Sequence, residues 1–124
     1  MKNVILVVDD DKTNLSLAQR ILGPQYRIAA CSSGTAALTY LEKHRPDLIL
    51  LDINMPEMNG FEVMAKIRSN IQTELIPVIF LTADNLAETE IKCFQMGAMD
   101  FVAKPFVPDI LLSRVSKTIE LDQY

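Results

Sequence analysis

The chain has 124 residues, 49% of them hydrophobic and 23% charged, with a formal net charge of −4 and a pI of about 4.9. That is the profile of one globular domain of ordinary size. The acidic balance argues against nucleic-acid binding by this domain, because phosphate contacts need clustered Lys and Arg, and no apolar run approaches the roughly 18 residues of a membrane span. The start, MKNVILVV, lacks the longer apolar region and small-residue cleavage site of a signal peptide, so the expected location is the cytoplasm. Cys31 and Cys93 sit in apolar company and are expected to be reduced core residues.

Apolar runs and helical patterns alternate along the chain. Val4 to Val8 is continuous and rich in β-branched residues, which predicts a strand buried on both faces. Leu15, Ala18, Ile21 and Leu22 recur at helical spacing, predicting a helix over 13–22 that Gly23-Pro24 ends. Arg27 to Cys31 is a second strand. Ser32-Ser33-Gly34 opens a helix through Lys43, with Ala37, Leu38 and Leu41 on one face. Leu48 to Leu51 is the third strand. Phe61 to Arg68 is helical, with Phe61, Met64, Ala65 and Ile67 expected to turn inward. Pro77 to Leu81 is the fourth strand, and Leu86 to Met96 a helix closed by Gly97. Phe101 to Ala103 is a short fifth strand. Pro108, at a first helical position, opens a last helix to about Leu121.

Strands alternating with helices argue for a parallel sheet covered on both faces, and such sheets bind ligands at the carboxyl ends of their strands. The polar candidates all fall on that edge. Asp9, Asp10 and Asp11 follow the first strand, Asp52 and Asn54 the third, Thr82 the fourth, and Lys104 with Pro105 the fifth. Three carboxylates, Asp9, Asp10 and Asp52, would converge there, and like charges that close need a proton or a cation between them. Oxygen-only ligands favour a hard cation, Mg²⁺ first and Mn²⁺ as the alternative. A carboxylate, a divalent cation, the Lys104 ammonium and the Thr82 hydroxyl suit phosphoryl transfer, and a carboxylate can itself be the nucleophile that forms an acyl phosphate.

These residues carry a resemblance. VVDDD (7–11), LLDINMPEMNG (50–60), FLTA (80–83), GAMDF (97–101) and KPF (104–106) resemble, in order and spacing, the bacterial two-component response-regulator receiver domain, chemotaxis receivers included. The resemblance implies the flavodoxin-like doubly wound (βα)5 fold, a five-stranded parallel α/β sheet of order 2-1-3-4-5 over residues 1–124. It implies that Asp52 accepts a phosphoryl group from a histidine kinase or phosphotransfer protein. Asp9, Asp10, Asp52 and the Asn54 backbone carbonyl would hold Mg²⁺. Lys104 would pair with the phosphate ahead of Pro105, whose bond the family makes cis. Thr82 and Phe101 would be the switch pair, relaying the change to the surface of the fourth helix, fifth strand and fifth helix and to an output domain or downstream protein.

Other residues read more plainly. Asp11 is expected to be a charge at a helix start near Thr13. His44 is expected on the surface, and the methionines are expected to fill core. Asp84, two residues after Thr82, is a candidate for tuning phosphate hydrolysis. Met99 stands where the family often has an acid used in paired-receiver contacts, which argues against a charge-network dimer and leaves other homodimers on phosphorylation open. Phe101 in place of Tyr lacks a phenolic hydroxyl. The last helix, DILLSRVSKTIELDQY, has no stop signal and resembles linker helices of receivers joined to cyclic dinucleotide signalling domains, so it is expected to continue to an output domain outside this chain; a single-domain receiver is the other reading. Two rival functions are a degenerate receiver acting as a phosphate-independent interaction module, and an aspartyl-phosphate phosphatase of the haloacid-dehalogenase type. The latter's DxD pattern after the first strand does not fit Asp9-Asp10-Asp11-Lys12, and the expectation is therefore a phosphoacceptor regulatory domain, not an enzyme.

Overall fold

The computed structural model describes residues 2–84 and 86–122. Its elements are β1 (Val4–Val8), α1 (Lys12–Leu22), β2 (Arg27–Cys31), α2 (Gly34–Leu41), β3 (Leu48–Asp52), α3 (Gly60–Arg68), β4 (Val78–Thr82), α4 (Ala87–Gln95), β5 (Asp100–Ala103) and α5 (Pro108–Asp122). The strands form one parallel sheet in the order β2-β1-β3-β4-β5, as the resemblance implies. None of the described helices is long and apolar enough to cross a membrane.

Alternation within each strand builds two cores, because successive side chains leave opposite faces of a sheet. Leu6, Val8, Ile49, Leu51, Val78 and Phe80 point to one face, where α2, α3 and α4 contribute Ala37, Leu41, Val63, Met64, Ile67 and Cys93. Ile5, Val7, Leu48, Leu50, Ile79 and Leu81 point to the other, under Ala18 and Leu22 of α1 and Leu111, Val115 and Ile119 of α5. All residues of β3 and β4 are buried, and both strands are apolar up to their last residues, Asp52 and Thr82. Both cysteines are free thiols.

The helix starts follow local capping. The Asp11 side chain accepts from the Thr13 amide at 2.8 Å and caps α1. Ser33 caps α2, and Asn59 with Glu62 forms a reciprocal capping box at α3. The inward stripe of α3 is Gly60, Val63, Met64 and Ile67, which recur at helical spacing. Ala65 is therefore exposed, against the expectation that it faces inward, and Val63 takes that place. α2 ends at Leu41, two residues short of Lys43. Met99 is also exposed, unlike the buried Met55 and Met64, so not every methionine fills core. His44 is exposed and stacks on Tyr40 with ring centroids 4.6 Å apart.

Candidate functional site

The sheet register aligns the strand ends that matter. Val8 pairs with Leu51, Asp52 with Leu81, and Thr82 with Ala103. Asp52 is thus the last residue of β3 and Thr82 the last of β4, while Asp9 and Lys104 immediately follow β1 and β5. The Asp9 amide donates to the Cys31 carbonyl at 3.1 Å, and the Lys104 amide to the Thr82 carbonyl at 2.8 Å, so both side chains leave from backbone pinned to the sheet.

Lys104 Nζ lies 2.8 Å from Asp9 Oδ2 and 2.9 Å from Asp52 Oδ1. Both carboxylates are buried. Asp9 Oδ1 accepts from the Asp11 amide at 2.9 Å, and Asp52 Oδ1 from the Asn54 amide at 3.3 Å. Asp10 and Asn54 are exposed. Burial pushes the Asp52 carboxyl up to about 6; the Lys104 hydrogen bond opposes this, and the Asp9 charge adds to it. Burial alone would lower Lys104, but its bonds and charge contacts with Asp9 and Asp52 hold it above its ordinary value. Asp9 Oδ2 is buried and makes its ion pair with Lys104 without a well-aligned hydrogen bond.

Asp9, Asp10 and Asp52 each offer a carboxylate oxygen, and these atoms lie within 4.8 Å of one another. An all-oxygen, triply acidic donor set fits a hard divalent cation. The turn that follows Asp52 is tightly specified. The Gly60 amide donates to the Ile53 carbonyl at 2.8 Å. A Cβ on Gly60 would collide with the Asp52 carbonyl oxygen and lie 2.8 Å from Ile53 Cα. Glu57 takes a positive φ of 67° in the same turn. The Lys104–Pro105 bond is cis.

The Thr82 hydroxyl is buried and faces the loop after β4. It donates to the Asp84 carbonyl at 3.0 Å and accepts from the Asp84 amide at 2.9 Å. Phe101 is half-buried, edge-on to Phe94 of α4 at 5.9 Å between centroids. The Arg114 guanidinium of α5 lies 5.9 Å from the Phe101 ring centroid and donates to the Phe101 carbonyl at 3.3 Å. Arg114 also pairs with Asp100 at 2.8 Å. Sequence reading singled out neither Arg114 nor Thr89. Their partners are 14 and 5 residues away, and no local motif marks either pairing.

The family described as "Response regulator receiver domain" matches residues 5–116. The chain belongs to this receiver family. The family is regulatory, and neither the degenerate-module nor the phosphatase reading is favoured. The receiver is 48% identical over 111 residues to a "Probable cyclic di-GMP phosphodiesterase" of Vibrio cholerae, covering 90% of this chain and 25% of that protein. A response regulator structure from Chloroflexus aurantiacus superposes with a TM-score of 0.92 at 31% identity, covering 97% of this chain and 99% of the other. The chemotaxis response regulator CheY4 of Vibrio cholerae gives a TM-score of 0.88 at 30% identity, covering 94% and 98% of the two chains. The chain spans 25% of the length of the curated phosphodiesterase relative and 50% of a Streptomyces coelicolor transcriptional regulatory protein, AfsQ1.

Proposed function

We propose that this receiver is a phosphorylation-activated signalling switch of a His-Asp phosphorelay, with Asp52 as the phosphoacceptor. The observation that carries this is the Lys104 ammonium held between Asp9 and Asp52 beside a third acid, Asp10. An oxygen of the Asp52 carboxylate forms a bond to phosphorus while the phosphorus–nitrogen bond of a phosphohistidine donor breaks, leaving an acyl phosphate on Asp52. The donor is a histidine kinase or a phosphotransfer protein. With its carboxyl at about 6, Asp52 is mostly ionised at neutral pH and needs no general base. Lys104, 2.9 Å from Asp52 Oδ1, holds that carboxylate in place and would pair with the phosphoryl group carried on it.

Asp9, Asp10, Asp52 and the Asn54 backbone carbonyl are the groups that would hold Mg²⁺, or Mn²⁺ in its place. When bound, the cation supplies positive charge that offsets the carboxylates and the transferring phosphoryl group. Thr82 and Phe101 relay the change as a two-state pair. The Thr82 hydroxyl turns from Asp84 to a phosphoryl oxygen, and the Phe101 ring moves into the space vacated. The receiving surface is the face of α4, β5 and α5, where Ile91, Phe94, Met99, Val107 and Ile110 are exposed. This apolar character supports contact with an output domain, a downstream protein or a second receiver through apolar packing rather than a charge network. The phosphodiesterase named above, of which this chain matches a quarter, supports an output in cyclic dinucleotide signalling reached through a continuation of α5. The setting proposed is the cytoplasm.

The test is amide exchange with and without Mg²⁺ plus beryllofluoride, which mimics a phosphoryl group on a carboxylate. Protection at residues 52–54 and 82–84, with altered exchange at 100–103, is expected in the parent and not in Asp52→Asn. An unchanged pattern in the parent contradicts the switch.

A further inference from the structure

Asp84 follows the switch threonine by two residues, and both of its carboxylate oxygens are engaged by residues that come after it. The carboxylate faces the first turn of α4. Asp84 Oδ1 accepts from the Leu86 amide at 2.7 Å, and Oδ2 accepts from the Thr89 hydroxyl at 2.7 Å. α4 needs this, because its N-cap residue is Leu86, which offers no side-chain cap. The bonds are short, charge-assisted and placed at the positive end of the helix dipole. They also hold the Asp84 carboxyl below its ordinary value, Thr89 most strongly and Leu86 next.

The same residue's backbone occupies the Thr82 hydroxyl from both sides, as acceptor at 3.0 Å and donor at 2.9 Å. A hydroxyl has one proton to donate. Thr82 cannot give that proton to a phosphoryl oxygen while Asp84 O holds it, and Thr82 is buried, so water does not substitute freely. The backbone of Asp84 is in turn fixed by what its carboxylate grips.

We propose that Asp84 is a positioning residue, a latch that ties the Thr82 hydroxyl to the first turn of α4 and opposes the rotation that phosphorylation of Asp52 requires. This rests on the reading of Thr82 as the switch residue. In the resting receiver the chain Thr82–Asp84–Thr89 is closed. In the phosphorylated receiver Thr82 lets go, the loop is released, and α4 loses the anchor of its first turn. The coupling from the acceptor to α4 is thus a competition for one proton. Its strength is set by Thr89, a residue of the helix and not of the acidic cluster.

The test measures the affinity of the 124-residue chain for beryllofluoride at fixed Mg²⁺ by titration calorimetry, and amide exchange over residues 86–95. Loosening one bond of the latch is expected to shift the equilibrium by about three- to ten-fold. Thr89→Val and Asp84→Ala should each tighten beryllofluoride binding by that factor and speed exchange in the first turn of α4. Thr89→Ser, which keeps the hydroxyl, should match the parent. Thr82→Ala alone should weaken binding, and in its background Thr89→Val should no longer change the affinity. Faster exchange with unchanged affinity would make Asp84 a helix cap only and overturn the latch. So would an equal Thr89→Val effect with and without the Thr82 hydroxyl. Thr82→Ala binding beryllofluoride like the parent would instead overturn the switch role of Thr82 itself.

Discussion

Lys104 Nζ stands 2.9 Å from Asp52 Oδ1 and makes its second ion pair with Asp9, so one ammonium serves two buried carboxylates. Removing one partner of a buried ionic group leaves an uncompensated charge, which costs about 3–5 kcal/mol in comparable sites. Lys104→Ala should therefore destabilise the metal-free receiver by about 2–4 kcal/mol at pH 7.5, below the full range because Asp52, at about 6, can take up a proton. Urea melts at pH 7.5 and pH 5 check this. The loss should be smaller at pH 5, and equal losses at both would contradict the pairing.

Asp52 gives a second pH dependence with a definite sign. Its carboxyl lies at about 6 in the folded receiver, above the ordinary value of 3.8. Between those values the folded state holds a proton that the unfolded chain has released, so metal-free stability falls as pH rises through this window. The full effect is about 3 kcal/mol at most. Asp52→Asn should flatten that part of the curve and raise the melting temperature of the metal-free protein at neutral pH. Mg²⁺ should recover stability in the parent and do so far less in the variant. A variant less stable than the parent at pH 7.5 would contradict the burial-driven shift.

Gly60 sets how closely the turn after Asp52 folds back on the strand. A methyl there would meet the Asp52 carbonyl oxygen and Ile53 Cα. Gly60→Ala should cost about 1–3 kcal/mol, the range of overpacking substitutions, and weaken Mg²⁺ binding because the same turn carries Asn54. A melting temperature within 2 °C of the parent would argue that the turn relaxes freely.

Arg114 holds Phe101 from α5 while Phe94 holds it from α4. The Arg114–Asp100 pair is partly exposed, so its direct contribution is small, about 1 kcal/mol or less. Arg114→Ala should leave global stability nearly unchanged but speed amide exchange over 100–103. Unaltered exchange there would show that β5 holds Phe101 without α5.

Most of this fold was legible because its signals are local and period-bound. The central strands are uninterrupted apolar runs, and the helices begin at Asp11, Ser33 and Asn59, which cap by their own side chains. Val63 and Ala65 flank Met64 and are both apolar, so the pattern does not choose which of them continues the inward stripe; Ala65 lies about 100° around the helix from Met64 and faces out. The acidic edge was legible from strand ends alone, since parallel topology puts every carboxyl end on one side. The direction of the Asp84 carboxylate was not. Both Thr82 and Thr89 bond Asp84, one through its backbone and the other through its carboxylate, and no motif in the sequence marks that division. Arg114 was invisible for a similar reason: its pairing with Asp100 joins two elements through tertiary packing.

The most direct test of the phosphoacceptor assignment is the intact mass of the protein after incubation with Mg²⁺ and acetyl phosphate, beside Asp52→Asn. A gain of one phosphoryl group is expected in the parent and none in the variant. No gain in folded parent protein that binds Mg²⁺, or an equal gain in Asp52→Asn, would contradict the assignment of Asp52 as the phosphoacceptor.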